Sequence, residues 1–309
     1  MSQKEPRKDL RGKVVVVTGA SSGFGKGAAR AYAAAGASVV VAARREHLIQ
    51  ELAREIGGAG GRAHAVTTDV SRREDVERLG RQAVDHFGRI DVWINDAGVG
   101  AIGRFEEVPV SDHVQVIETD LLGTLYGSYV AMQQFRRQKA GTLINISSVL
   151  GKVPSPYYAS YSDAKCGIVG LSAALRQELR LNKVRDIHVC TVLPTTFDTP
   201  FFDHVSNYTG HEVKLIPPVY EPERVIEVLV RLATEPEDEV MVGAAAKVTG
   251  VAHHLAPDAT ERLWATQVHR LQMEQAAPAD ASKGAVHEPV PAGTEVTAGR
   301  VFKNKRAAA

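Results

Sequence analysis

Residues 14–25 read VVVVTGASSGFG, four consecutive valines followed by a turn with glycines at positions 19, 23 and 25. Four β-branched residues in a row are typical of a strand that is buried on both faces. Glycines let backbone N–H groups approach an anion closely, and a helix that begins here adds its positive end. The pattern predicts a strand, a phosphate-binding turn and a helix, although glycine clusters also occur in ordinary turns.

Short apolar runs alternate with longer helical stretches over about the first 245 residues. The runs predict further strands at 39–41, 63–68, 90–95, 142–147 and 187–193. The stretches between them predict helices that end near residues 35 and 87 or cover 46–56, 111–138 and 158–181. Strands that are apolar at every position are typical of a parallel sheet between two helix layers. The predicted fold class is α/β, a Rossmann-type doubly wound, mostly parallel sheet.

The composition excludes several classes of protein. Hydrophobic residues make up 44% and charged residues 24%, which excludes a chain that is disordered throughout. The 37 lysines and arginines balance 36 acidic residues, so a net charge of +1 gives no general attraction to nucleic acid. Two cysteines are too few for a disulfide framework, and no Cys/His array predicts a metal. Without an apolar leader or a run long enough to cross a bilayer, we expect a cytoplasmic protein.

Two arginines follow the second predicted strand. Folds that prefer NAD usually place an acid near the end of this strand, where it binds the adenosine ribose 2′-hydroxyl, but Ala43 stands here. Arg44 and Arg45 come next, and a guanidinium can pair bidentately with a 2′-phosphate. We therefore predict a dinucleotide site that prefers NADP(H) over NAD(H). In the alternative interpretation, one or both arginines merely begin a helix.

A tyrosine and a lysine stand four residues apart in the helix predicted at 158–181. This spacing places Tyr161 and Lys165 on one helix face. A phenol has an ordinary pKa of about 10, and a neighbouring ammonium favours the phenolate. The pair therefore predicts acid–base chemistry, although a five-residue pattern is weak evidence by itself.

Four motifs occur in a fixed order along the chain. They are the glycine turn, Asn95-Asp96-Ala97-Gly98, Ile146-Ser147-Ser148 and Tyr161-x-x-x-Lys165. Together they resemble the short-chain dehydrogenase/reductase family, in an NADP-preferring form with a C-terminal helical extension. The resemblance covers about residues 12–245, and the ordered set is more specific than any one motif.

The resemblance implies a role for each matching residue. Tyr161 exchanges a proton with the substrate, Lys165 binds the nicotinamide ribose and lowers the Tyr161 pKa, and Ser148 hydrogen-bonds the substrate oxygen. Hydride passes between nicotinamide and a carbonyl or alcohol carbon. The residues expected at the cofactor are Gly19, Ser21, Ser22, Gly23, Phe24, Gly25, Arg44, Arg45, Asp69, Val70, Asn95, Ala97, Gly98, Tyr161, Lys165, Pro194 and Thr199. Structural roles stay open for Ser148 as a strand-end cap, Asp69 as a loop acid and Thr199 as a turn residue.

Three positions depart from the pattern of the family. Asp120 stands where the family has its fourth catalytic residue, an asparagine. There the family orders a proton-relay water partly through the backbone carbonyl, so we expect altered pH dependence and a contact with Lys165. Asp96 replaces the second asparagine of its motif, and Thr195 follows Pro194 in place of glycine.

Substrate and partners are the least defined part of the interpretation. The segment Phe197 to Tyr220 corresponds to the variable lid of the family, and its aromatics suggest a moderately apolar carbonyl or alcohol or simply pack on the next helix. A homodimer or homotetramer is expected by resemblance. The rival hypothesis is a catalytically impaired dinucleotide-binding regulatory or scaffold protein of the same fold.

Three regions are predicted along the chain. Residues 1–250 form the dinucleotide-binding and catalytic Rossmann domain, and residues 251–275 form a helical extension because 258–274 shows approximately helical periodicity. Residues 276–309 are rich in Ala, Pro and Gly and lack periodicity, so a disordered tail is expected.

Overall fold

A parallel β-sheet forms the centre of the protein. The computed structural model describes residues 9–302, apart from the side chains of residues 246 and 247. Its strands are β1 (Val14–Thr18), β2 (Ser38–Ala43), β3 (Arg62–Thr67), β4 (Val92–Asn95), β5 (Ala101–Ile102), β6 (Gly141–Ile146), β7 (Ile187–Pro194), β8 (Ser206–Asn207) and β9 (Glu239–Val242). Seven of them pair in parallel in the order β3-β2-β1-β4-β6-β7-β9, while β5 pairs with β8. The predicted doubly wound α/β fold is therefore confirmed.

Helices lie between the strands, and two more follow β9. They are α1 (Gly23–Ala34), α2 (Glu46–Gly58), α3 (Arg73–Phe87), α4 (Val110–Val116), α5 (Gly123–Gln138), α6 (Ala159–Leu181), α7 (Phe201–His204), α8 (Glu223–Leu232), α9 (Ala244–Leu255) and α10 (Pro257–His269). A π-helical segment, Ile117–Leu122, joins α4 to α5, and a second one, Arg270–Glu274, extends α10. No described helix is long and apolar enough to cross a membrane.

The valines of β1 explain why the sheet is buried on both faces. Val15 and Val17 belong to a core that β1 shares with α1, α2 and α8. Val16, whose side chain points the other way, belongs to a second core against α3, α5 and α6. All three valines are fully buried. An uninterrupted valine run thus serves two helix layers, because alternate residues of a strand face opposite sides.

The strand order reverses beside β1. From β1 the chain builds outward to β3, then crosses back to start the other half of the sheet at β4. The loops after β1 and β4 consequently leave in different directions and open a crevice at the carboxyl ends of the strands, where doubly wound folds bind ligands.

The C-terminal segment differs from the disordered tail predicted from its composition. Residues 276–302 lie against the rest of the protein, and Val286 is fully buried in an apolar cluster with Val108 and Val116. Composition missed this order because the segment is held mainly through its backbone carbonyls, which every residue type carries. Residues 303–309 lie outside the described residues, and the boundary expected at residue 250 falls within α9.

Candidate active site

A cleft of about 240 Å³ opens at the carboxyl ends of the strands. Most predicted site residues line it, namely Gly19, Ser21, Ser22, Gly23, Phe24, Arg44, Arg45, Asp69, Val70, Ala97, Gly98, Ser148, Tyr161, Lys165, Pro194 and Thr199. Gly25, Asn95 and Asp120 do not line the cleft but lie behind its wall. Among residues 9–302, no three His, Cys, Asp or Glu side chains are grouped as ligands for a metal ion.

The glycine turn is packed at backbone distance against the loop after β4. Gly19 has φ +69°, and a Cβ there would stand 2.8 Å from the Ala97 nitrogen. A Cβ on Gly25 would stand 2.6 Å from the Gly19 oxygen, so α1 begins directly against the turn. Thr18 Oγ1 accepts hydrogen bonds from the N–H groups of Asp96 and Ala97 at 3.1 and 3.2 Å. The result is a close backbone cradle at a helix N-terminus, which suits a diphosphate group.

Arg44 and Arg45 directly follow β2 in the chain, and the Arg45 side chain lies at the start of α1. Arg45 donates from Nε and Nη2 to Ser21 Oγ at 3.1 and 3.0 Å, and from Nη2 to Ser22 Oγ at 2.9 Å. Arg44 lines the same end of the cleft and contacts the C-terminal segment, with Nη2 donating to the Ala285 carbonyl at 2.6 Å. Arg45 is the N-cap residue of α2, but its guanidinium is anchored to the serines of the glycine turn, whereas Arg44 is anchored to the C-terminal segment.

Asn95 has a structural position within the sheet. Its Nδ2 donates to Asn145 Oδ1 at 2.8 Å, which joins β4 to β6, and its Oδ1 accepts from Trp93 Nε1 at 2.8 Å. A Cβ on Gly127 would stand 2.0 Å from Asn95 Oδ1, so α5 packs directly onto this amide. Asn95 thus supports the floor of the cleft from below.

Ser148, Tyr161 and Lys165 converge in the centre of the cleft. Lys165 Nζ lies 5.2 Å from the centre of the Tyr161 ring, one turn away on α6. Ser148 follows β6, accepts from the Leu150 N–H at 3.1 Å and lies near enough to Tyr161 to lower the pKa of the phenol. Ser147 instead donates to the Lys165 carbonyl at 2.8 Å and fixes α6 to the end of β6. Of the two serines, Ser148 is therefore the one placed to act with the phenol.

Asp120 forms a buried ion pair with Lys165. The Oδ2 atom lies 3.0 Å from Lys165 Nζ, and the two side chains are 0% and 6% exposed. Asp120 Oδ1 accepts from the Val99 N–H at 2.8 Å, and its carbonyl accepts from Thr124 Oγ1 at 2.6 Å. The contact with Lys165 expected from the sequence is confirmed.

The electrostatic balance at Tyr161 differs from the sequence expectation. Burial raises the pKa of the phenol, and although Lys165 lowers it, the anions of Asp120 and Asp96 raise it again. The net direction is upward, although Lys165 has the lowering effect on the pKa that the resemblance implies. The contact between Asp120 and Lys165 was expected from the sequence, but its effect on the Tyr161 pKa was not. For Lys165 itself, burial works against the charge, but Asp120 and Tyr161 raise the pKa above its ordinary value.

Asp96 is a second carboxyl, half-buried in the wall of the cleft. Its Oδ2 lies 2.9 Å from the place of a Cβ on Gly25, next to the glycine turn. Burial raises the pKa of Asp96 to about 8, against the opposing effects of Lys165 and the Gly25 N–H. The folded protein therefore holds a proton on Asp96 at pH values where an unfolded chain has lost it.

Replacing Asp96 with asparagine is expected to stabilise the protein at alkaline pH. A folded pKa raised from 3.8 to about 8 means that wild-type stability falls as pH rises across this window. Asp96→Asn removes that loss, so the variant gains on the order of a few kcal/mol at pH 9 and little at pH 4.5. Urea unfolding of both proteins at the two pH values measures the difference. The exposed Asp85, changed to Asn, is the control, and an equal gain at both pH values would contradict the assignment.

Apolar and aromatic side chains form the other end of the cleft. Phe201 and Phe202 of the predicted lid line it, and the Phe201 ring lies 5.3 Å from the Tyr161 ring. Tyr208 and Tyr220 do not line it: Tyr208 donates to an aspartate on α4, and Tyr220 packs on Phe197.

Several residues of the cleft were missed by sequence reasoning. Trp264 reaches it from α10, and Ala285, Pro289 and Val290 reach it from the C-terminal segment. The helical spacing around Trp264 predicted a helix but did not show that this helix lies at the cleft. The C-terminal segment was expected to be disordered. The available signal was Trp264 itself, a large aromatic side chain in an extension for which the sequence indicated no packing partner.

Comparison with known proteins supports the same family. Residues 13–209 match the family model for short chain dehydrogenases. The uncharacterized oxidoreductase YxnA of Bacillus subtilis is 34% identical over 258 residues, covering 83% of this chain and 72% of the relative. The 3-oxoacyl-[acyl-carrier-protein] reductase of Synechocystis is 33% identical over 245 residues, covering 78% and 97%.

Solved structures share the fold. A short chain dehydrogenase/reductase from Burkholderia phymatum, in complex with NAD, superposes with a TM-score of 0.73 at 24% identity and covers 81% of this chain and 96% of its own. An alcohol dehydrogenase from Thermococcus sibiricus, complexed with 5-hydroxy-NADP, gives 0.64 at 26% identity, covering 74% and 95%. With the motifs, the parallel sheet and these matches in agreement, the chain belongs to the short-chain dehydrogenase/reductase family of oxidoreductases.

Proposed function

We propose that the protein is an NADP(H)-dependent oxidoreductase that interconverts a carbonyl and an alcohol. The observation that carries the proposal is the convergence of Ser148, Tyr161 and Lys165 in one cleft beside the glycine cradle. Relatives with names that specify a reaction point the same way. Besides the Synechocystis reductase, the 3beta-hydroxysteroid dehydrogenase 1 of Eggerthella lenta is 37% identical over 194 residues, 62% of this chain and 73% of the relative.

The side chains of the cleft supply the proton chemistry. Tyr161 gives its phenolic proton to the carbonyl oxygen in reduction and takes it back in oxidation, while Ser148 donates a hydrogen bond to the same oxygen. Lys165 favours the phenolate by its charge and is itself held by Asp120 at 3.0 Å. A bound nicotinamide supplies or accepts the hydride at the substrate carbon.

A nicotinamide dinucleotide fits the residues present. A Cβ on Gly19 would meet the Ala97 nitrogen and one on Gly25 the Gly19 oxygen, so the turn packs tightly at the N-terminus of α1, where the helix dipole favours a diphosphate. Arg45 stands beside Ser21 and Ser22 at one end, and the Tyr161 group stands at the other. The paired guanidinium groups, with Ala43 in place of an acid, favour a 2′-phosphate and therefore NADP(H).

Cofactor preference tests this assignment. Wild-type kcat/KM is expected to be higher with NADPH than with NADH. Arg45→Gln should lower kcat/KM for NADPH by about 10- to 100-fold and leave NADH within about threefold, because a charge-assisted pair with the 2′-phosphate is lost. Arg30→Gln, which removes the exposed pair with Glu55, is the matched control. A wild-type preference for NADH would overturn the proposed cofactor.

The reaction class is tested by following NADPH consumption with a panel of ketones, aldehydes and quinones. Phe201, Phe202 and Trp264 make the substrate end apolar, so turnover should favour apolar carbonyl compounds. Tight NADPH binding without turnover of any panel member would favour the rival hypothesis of a regulatory or scaffold protein.

Assembly and location stay predictions. A homodimer or homotetramer through α5 and α6 is supported by Leu125 and Tyr129, which are exposed apolar side chains on α5. A cytoplasmic location rests on the sequence alone.

A further inference from the structure

The C-terminal strap, residues 283–302, crosses the end of the cleft where Arg44 and Arg45 lie. Arg44 donates from Nη1 to the His287 carbonyl at 2.8 Å and from Nη2 to the Ala285 carbonyl at 2.6 Å. Arg45 donates from Nη1 to the carbonyls of Ala292 and Gly293 at 3.1 and 3.3 Å. Both guanidinium groups predicted to hold a 2′-phosphate are thus already bonded to the strap.

The hydrogen-bonding capacity of Arg45 is fully used. A guanidinium has five N–H donors in a fixed fork. In Arg45, Nε and Nη2 serve Ser21 and Ser22, while Nη1 serves the strap, with a further Nη2 contact to Gly293 at 3.4 Å. A phosphate that binds this fork bidentately needs two of these donors. It must therefore replace strap carbonyls or serine hydroxyls.

The strap also covers the start of α1. The Gly23 N–H, in the phosphate-binding turn, donates to the Glu295 carbonyl at 2.9 Å. Lys26 Nζ donates to the Thr294 carbonyl at 2.8 Å. The middle of the strap consequently accepts hydrogen bonds from an ammonium and a backbone N–H, two groups that also suit an anion.

The two ends of the strap are held elsewhere. At the first end, Ser206 Oγ donates to the Lys283 carbonyl at 2.8 Å. At the far end, Asp198 accepts from the N–H groups of Val301 and Phe302, both at 2.8 Å. These anchors do not involve the arginines. Val286 is fully buried and His287 pairs with Asp112 at 2.9 Å, so residues 288–293 are the part of the strap that can leave Arg45 while the rest stays in place.

We propose that the C-terminal strap competes with the 2′-phosphate of NADP(H) for Arg44 and Arg45, so that NADP(H), and not NAD(H), releases residues 288–293 from Arg45. Neutral carbonyls are weaker acceptors than a phosphate dianion, which makes the replacement favourable. NAD(H) has no 2′-phosphate and therefore leaves the contacts of Arg44 and Arg45 with the strap intact, since its diphosphate, which both cofactors share, competes only at the Gly23 N–H. The inference rests on the proposed dinucleotide site, but it does not depend on turnover.

A matched pair of glycine variants tests the competition. Gly293 has φ +67°, and a Cβ there would stand 2.4 Å from His204 Nε2 and 2.9 Å from Cβ of the Pro200 ring, so Gly293→Ala is expected to displace the strap beside Arg45. Gly299 has φ +75° with its nearest neighbour 3.9 Å away, so Gly299→Ala adds similar backbone strain without a clash. Calorimetric titration of the full chain uses adenosine 2′,5′-bisphosphate as the phosphate probe and NAD⁺ as the probe without it.

The expected result is that Gly293→Ala lowers the Kd of the bisphosphate about tenfold, while the Kd of NAD⁺ changes less than twofold. Gly299→Ala should match wild type with both probes. Binding of the bisphosphate to the variant alone would also support the competition. An unchanged or higher bisphosphate Kd in Gly293→Ala, or binding to neither protein, would overturn it.

Hydrogen exchange on wild type provides a measurement that needs no variant. Saturating NADP⁺ should speed exchange in residues 288–293 and leave the Asp198-bonded amides 300–302 protected, whereas NAD⁺ should not speed it. Slower exchange in residues 288–293 with NADP⁺ would mean that the strap closes over the cofactor, contrary to the proposal. If the exchange pattern is as expected but the protein turns over no substrate, the proposed function is refuted and the competition at the arginines is not.

Discussion

Tyr161→Phe is expected to lower kcat by about 10³-fold while leaving the Kd of NADPH within about twofold. The variant loses only the phenolic oxygen that exchanges a proton with the substrate. The ring keeps its contact with Phe201, whose centre is 5.3 Å away, so the cleft is expected to keep its shape. Steady-state kinetics and a fluorescence titration of NADPH measure the two quantities.

A neighbouring tyrosine supplies the control for this change. Tyr157 lies outside the cleft lining and its hydroxyl is 2.6 Å from His269 Nδ1, so Tyr157→Phe removes a phenolic oxygen without touching the proposed proton path. Its kcat should stay within about threefold of wild type. Unchanged turnover in Tyr161→Phe would remove the proposed role of Tyr161.

Lys165→Met is expected to destabilise the protein by about 3 to 5 kcal/mol and to lower kcat by at least about 10²-fold. The variant leaves Asp120, which is fully buried, without its partner at 3.0 Å. Desolvation already raises the pKa of Asp120, and the variant loses the lowering effect of the Lys165 side chain. The folded variant therefore keeps a proton that the unfolded chain releases, and its stability falls further as pH rises.

The double variant Lys165→Met/Asp120→Asn separates the two effects. Removing both charges should recover most of the free energy of unfolding, because no buried charge is left uncompensated. It should not recover kcat, since the ammonium that favours the Tyr161 phenolate is still missing. Urea unfolding and kinetics are the measurements. Lys152→Met, which breaks a more exposed pair with Glu239 at 2.9 Å, is the control and should cost at most about 1 kcal/mol. Recovery of kcat in the double variant would contradict the role of Lys165.

The sheet could be predicted because its strands are unambiguous in the sequence. Val15, Val16 and Val17 serve two cores at once, and only a doubly covered strand needs apolar residues at every position. The seventh strand, β9, was missed because Glu239–Val242 is short, begins with a charge and is only partly buried at the sheet edge. Periodicity gives a weak signal for such a strand.

The candidate site could be predicted where the spacing within one element fixes it. Tyr161 and Lys165 share a helix face by their separation alone. The position of Asp120 against Lys165 required the path of another helix, and the sign of the Tyr161 pKa shift depended on that contact. Likewise, the strap is held by hydrogen bonds to backbone carbonyls, which leave no trace in side-chain composition.

The π-helical segment at 117–122 makes the position of Asp120 sensitive to a single codon. A π-turn accommodates one residue more than an α-turn, and each residue of an α-helix corresponds to about 100° of rotation. The segment thereby lets Val116 at the end of α4 and Phe135 in α5 each face its own core, with Asp120 turned inward between them. An in-frame deletion of one codon here would restore a continuous α-helix and rotate one arm against the other. A change of one residue in the length of this helix would thus change the position of the buried Asp120 carboxylate.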